Sequence, residues 1–102
     1  MKIPDKIRIG SMYYTITLSD KILTLDHKVC KGLVNYEMHT IEINNSVQDD
    51  QGVEQTFLHE VVHALVNERN FDFCSTDNEM KVDEFASGLH QIIKDNPGIF
   101  KD

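Results

Sequence analysis

Nothing in this 102-residue chain approaches the ~18 consecutive apolar residues of a membrane-spanning helix, and no basic leader followed by an apolar run opens it. A membrane partner is therefore not expected, and the expected compartment is the cytoplasm. Cysteine is scarce: Cys30 and Cys74 lie far apart and form no C-x-x-C motif, which in a reducing compartment predicts free thiols. Basic residues are few as well, ten Lys and Arg scattered through a chain of net charge −7. Phosphate binding needs clustered cations, so no nucleic-acid partner is expected, and the acidic excess reads as solubility. Repeats, low-complexity tracts and linkers are missing. The length suits one domain, residues 1–102, with a modest core and no room for a separate substrate domain.

What is present begins with alternation. Ile7, Ile9, Met12, Tyr14, Ile16 and Leu18 recur at a period of two, which predicts a hairpin turning at Gly10-Ser11. Residues 20–31 show no clear period and are expected to form an irregular connection. Gly32 to Tyr36 and Thr40 to Asn44 read as two more strands joined around Glu37-Met38-His39, with Ile41 and Ile43 inward and Glu42 toward water. Thr40 to Asn44 is expected as an edge strand, either bordering a cleft and pairing with an extended substrate through main-chain hydrogen bonds, or simply closing the sheet.

The period then changes to that of a helix. Asp49-Asp50 supply capping carboxylates, and Val53, Phe57, Val61, Ala64 and Leu65 form one apolar stripe on a helix expected over 51–69. A second helix is expected from about Ser75-Thr76-Asp77-Asn78 to Asp95, where Asn96-Pro97-Gly98 must stop it. Val82, Phe85, Ala86, Leu89, Ile92 and Ile93 would be its core face. The expected fold is α+β: a three- to four-stranded, mainly antiparallel sheet packed on these two helices.

The chemistry-bearing stretch lies on the first helix: His59-Glu60-Val61-Val62-His63. Residues four apart stand one turn above each other, so the two imidazoles can aim at one point, half of a tetrahedral zinc site. Glu60 sits about 100° round the helix from His59, where it can take a proton from a metal-held water without binding the metal. Both histidines project away from Val61 and the core, and the second helix is expected to cover them. A catalytic zinc has three protein ligands, so one more donor is needed. Glu68, Asp72, Cys74, Asp77, Glu79, Asp83, Glu84 and His90 are candidates downstream. Glu79, in the first turn of a helix that can fold back, is the choice for the third ligand. Its competing use is a Thr76-x-x-Glu79 capping box. Asp83, one turn on, could accept a hydrogen bond from a ligand imidazole and fix its orientation, or be a solvated charge.

His59-Glu60-Val61-Val62-His63 followed by Glu79-x-x-Val82-Asp83-x-Phe85-Ala86 resembles the pattern HExxH…E-x-x-A-[ND]-x-F-A of ImmA/IrrE-like metallopeptidases, in the gluzincin branch. Gly32…Thr40-Ile41-Glu42-Ile43-Asn44 resembles the strand pair before their active-site helix, and Val82 stands where they usually carry a small alanine. The resemblance covers residues 32–95. It implies a minimal zincin-like fold, Zn2+ held by His59, His63 and Glu79, Glu60 as general base, and Asp83 behind the ligands. It also implies an oxyanion donor, for which Tyr36, His39 and His90 are open alternatives. The implied activity is that of a zinc-dependent endopeptidase of the phage or mobile-element type, cutting a protein such as a mobile-element repressor. A zincin-fold module that docks on a protein partner without cleaving it is the alternative. Hydrolysis of a non-peptide amide is a more distant third.

Overall fold

The computed structural model describes residues 1–70, 74 and 76–101. The alternating segment at the start folds as strands β1 (Lys6–Ile9) and β2 (Met12–Ser19), paired antiparallel with Ile7 opposite Tyr14. The turn sits at Gly10, whose φ of 62° suits a residue without a side chain. Alternation sends Ile7, Ile9, Tyr14 and Ile16 to one face, where all four are buried.

Residues 20–31 are more ordered than their sequence pattern suggests. They form a two-stranded hairpin of β3 (Leu23–Leu25) and β4 (Lys28–Cys30), separate from the main sheet. Its two-residue turn is Asp26-His27, at φ 52° and 65°. Tight hairpin turns of this kind need positive φ at both central positions and usually advertise themselves with Asn or Gly. Here an aspartate and a histidine take the strain, so the signal is hidden.

Strands β5 (Gly32–Asn35) and β6 (Thr40–Asn44) then pair antiparallel, and β6 pairs parallel with β2, with Ile16 opposite Ile41. The four-stranded sheet has the order β1-β2-β6-β5. It is mixed: two pairings are antiparallel and the central one is parallel. Thr40 to Asn44 is thus an interior strand bonded on both sides, and β5 forms the edge instead. Ile41 and Ile43 face the core as their alternation requires.

Helix α1 (Asp50–Glu68) covers this apolar face. Asp49 caps it by accepting from Gly52 N at 2.9 Å, and the stripe Val53, Phe57, Val61, Ala64 and Leu65 is buried. Helix α2 (Asn78–Asp95) docks through its C-terminal half. Gln91 accepts from Gly10 N, and Asn96 both accepts from Arg8 N and donates to the Arg8 carbonyl. Gly88 lies against Leu65 and Arg69, where a Cβ would meet their carbons at 2.9 Å, and Arg69 pairs with Glu84 at 2.9 Å. These contacts fix α2 at the far end of α1. The expected apolar face of α2 is therefore only partly used: Ile92 is buried and Phe85 and Leu89 are half-buried, but Val82, Ala86 and Ile93 are exposed. Among the described residues no helix is long and apolar enough to cross a membrane. Cys30, half-buried, and Cys74, exposed, remain thiols.

Candidate functional site

A chain of polar contacts sets where α1 begins relative to the sheet. Gln48 donates to the carbonyl of Asn44 at the end of β6 and accepts from Thr56 Oγ1 at 2.8 Å. One turn beyond Thr56 is Glu60. Edge strand β5 crosses both through Gly32, where a Cβ would stand 2.6 Å from Thr56 Cγ2 and 3.1 Å from Glu60 Cγ. Only a residue without a side chain lets the strand lie this close to the helix. In the sequence Gly32 marks the start of a strand and of the segment resembling the family's strand pair, and a glycine within a strand pattern is itself a sign of close backbone approach.

Against this strand Glu60 is buried, with 7 % of the residue's surface exposed. Burial pushes its pKa up, and the neighbouring His63 and His59 pull it partly back. His59 and His63 remain exposed on the same helix, edge to face, with ring centroids 4.7 Å apart. Their Nε2 atoms are 3.1 Å apart. An ion bound tetrahedrally by two nitrogens at ~2.0–2.1 Å holds them roughly 3.3 Å apart, so the pair already has close to the spacing that zinc requires. The same separation suits an N–H···N hydrogen bond between a donor and an acceptor tautomer.

These three side chains line a cleft of ≈ 590 Å³. Its helical wall carries Thr56, His59, Glu60 and His63, while the strand wall carries Leu25, Cys30, Leu33, Val34 and Tyr36. A second groove of ≈ 440 Å³ runs along the other side of the histidines, over Leu58, Val62 and Val66. Helix α2 lines neither, so it does not cover the histidines as their outward projection led us to expect.

The remaining candidates do not join the pair. Among the described residues, no three His, Cys, Asp or Glu side chains come together in a group that could hold a metal. Glu79 and Asp83 are exposed in the first turns of α2, and among the described residues the hydrogen bond to the His59 and His63 rings is the one between them. The reason lies in the helix crossing. Gly88 and Glu84 oppose Leu65 and Arg69, so following α2 back toward its start leads past Arg69, away from His63. Glu79 is not used as a cap either, because Asp77, not Thr76, accepts from Met80 N at 3.0 Å. Glu68 accepts from the Tyr14 hydroxyl at 2.6 Å, Glu84 pairs with Arg69, and His90 is exposed. Asp72 lies outside the described residues, as do Phe71, Phe73 and Ser75; of the run Ser75-Thr76-Asp77-Asn78 expected to start the second helix, Asp77 caps it and Asn78 is its first residue. Of the three open oxyanion donors, only Tyr36 lines the cleft. His39 stacks edge-on against Tyr14 at 5.2 Å and approaches Glu68.

Comparison with protein-family models, with curated proteins and with solved structures finds no match to the chain.

Proposed function

We propose that this chain is a zinc-dependent endopeptidase of minimal zincin-like fold, working in the cytoplasm on a protein or peptide. The observation that carries the proposal is the 3.1 Å separation of the His59 and His63 Nε2 atoms beside the buried Glu60 in one cleft. His59, His63 and Glu79 would hold the ion, and the Glu79 carboxylate is not consumed by a capping box. Asp83 would orient an imidazole. Zinc, when bound, supplies a Lewis acid that makes water more acidic and polarises a carbonyl. Glu60 takes the proton of the attacking water and returns it to the departing amine. Burial makes it a stronger base than a solvated carboxylate. The resemblance to ImmA/IrrE-like proteins implies a regulatory substrate such as a mobile-element repressor.

A second reading is a zincin-fold binding module that docks on a protein without cleaving it. It is favoured by one observation, that no third donor accompanies the histidine pair among the described residues. Metal analysis and cleavage of fluorescently labelled casein separate the two. The peptidase should carry about one zinc per chain after purification without added metal, should lose it in His63→Ala, and in Glu60→Gln should keep metal and fold while losing cleavage. Glu79→Ala should weaken metal retention. A folded protein that binds no zinc, or a Glu60→Gln variant as active as the parent, would refute the peptidase.

A further inference from the structure

Each helix keeps one face that no other described element covers. On α1 the groove of ≈ 440 Å³ is lined by this helix alone: His59, Val62, His63 and Val66 share about 100° of its circumference, together with Gln55 and with Leu58 beside them. On α2, Glu79, Val82, Asp83 and Ala86 share an arc of the same width, and all four are exposed. The opposite side of α2 is the one in use, with Gly88 and Ile92 buried. The two uncovered faces match in spacing. Each sets a metal-ligating type of side chain at i and i+4, and valine or alanine at i+3 and i+7. They also match in charge, because two imidazoles that hold a dication attract carboxylates. Within one chain the contacts that seat α2 hold these faces apart: Gly88 lies on Leu65, Arg69 pairs with Glu84, Gln91 accepts from Gly10 N and Asn96 from Arg8 N.

We propose that a second copy of this chain completes the site: on metal binding two chains pair so that α2 of each lies along α1 of the other, and Glu79 of the partner subunit joins the histidine pair. The proposal rests on the peptidase reading for its metal. The exchange is isologous, so it closes as a two-fold dimer with two equivalent sites. Asp83, one turn from Glu79 on the same face, arrives with it. Small side chains at Val62, Val66, Val82 and Ala86 let the two helix axes approach to the roughly 8–10 Å of ordinary helix packing. Apolar contact alone is too slight to hold the pair. Stable interfaces bury about 1,200–2,000 Å², whereas each stripe offers little more than two valines or a valine and an alanine. A net charge of −7 on each chain also repels its copy. Pairing is therefore linked to the ion: the metal-free chain is a monomer, and the dimer forms as the cation joins imidazoles of one chain to a carboxylate of the other.

The test titrates the full metal-free chain with cobalt(II), whose absorption reports coordination, and follows mass by sedimentation. The parent should sediment as a monomer without metal and as a dimer with about one cobalt per chain. His63→Ala and Glu79→Ala, both at exposed positions, should each bind cobalt at least about tenfold more weakly and stay monomeric. Mixed in equal amounts they should complement each other. The histidines of the Glu79→Ala chain and Glu79 of the His63→Ala chain form one intact site, so about half of the parent's cobalt is bound, in a dimer. Val82→Arg sets a cation in the contact at a position 60 % exposed. It should abolish the dimer and weaken cobalt binding, with the circular dichroism of the metal-free chain unchanged. A cobalt-loaded parent that stays monomeric, mixed variants that recover nothing, or a Val82→Arg chain that dimerises as the parent does would overturn the proposal and leave the peptidase reading intact. A parent that binds no cobalt would remove the peptidase reading and the dimer together.

Discussion

Gly32→Ala tests the contact on which the cleft depends. The new methyl would lie 2.6 Å from Thr56 Cγ2 and 3.1 Å from Glu60 Cγ, whereas two carbons rest at about 3.5–4.0 Å. The strand or the helix must retreat by roughly 1 Å. Overpacking of this kind costs about 1–3 kcal/mol. For a domain of this size, 2 kcal/mol is a fall in Tm of roughly 8–16 °C, or about 1 M in urea midpoint for a typical slope. Thr56→Ser supplies the control, since it deletes the clashing Cγ2 and keeps the hydroxyl that donates to Gln48 at 2.8 Å. In a double-mutant cycle followed by urea unfolding, the serine should recover about 1 kcal/mol of the loss relative to the sum of the single changes. Additive single effects, or a Gly32→Ala cost below ~0.5 kcal/mol, would refute the seating of β5 on α1 that places Glu60.

Two further outcomes follow from the packing. Val82→Ser should leave the urea midpoint within about 0.5 kcal/mol of the parent because Val82 is 60 % exposed. Ile92→Ala, at 1 % exposure, should cost about 2–5 kcal/mol; similar losses at both positions would mean that α2 docks by a different face. Tyr14→Phe should cost about 1.5–3 kcal/mol near neutrality, because it removes a hydrogen bond to the Glu68 carboxylate. Burial and that carboxylate hold the Tyr14 phenol well above its ordinary 10.0. The unfolded chain therefore releases this proton first, and the Tyr14 contribution is full below about pH 10 and is lost as pH rises beyond it. Tyr14→Phe should flatten this alkaline decline in pH-dependent unfolding; identical slopes would contradict the assignment.

Local periodicity made much of the architecture legible. Ile7, Ile9, Tyr14 and Ile16 announce the first hairpin, Val53 to Leu65 announce α1, and Asp49 marks its start, because side-chain direction along a strand or helix depends only on spacing. Neighbour choice does not. The parallel pairing of β2 with β6 leaves no mark on either strand, and it turns Thr40 to Asn44 from an expected edge into an interior strand. The docking face of α2 was misjudged for a related reason. Polar grips at Gln91 and Asn96 and the close approach at Gly88 decide it, and a hydropathy pattern gives these no weight. The candidate site divides along the same line. His59, Glu60 and His63 share one helix, so their spacing alone places them. Glu79 depends on how two helices cross, which Leu65, Arg69, Glu84 and Gly88 set at a distance from the motif.

The β3–β4 hairpin lies outside the main sheet, yet it furnishes Leu25 and Cys30 to the cleft. Its ends, Ser19 and Gly32, are anchored by strands whose pairing does not involve it. Such a segment can be lengthened, shortened or exchanged without altering sheet register, provided an apolar residue still fills the buried place of Leu23. The part of the cleft wall it supplies is thereby uncoupled from the frame that holds Glu60. Exchanging these dozen residues would reshape one wall of the cleft while the close approach of Gly32 to Glu60 stays in place.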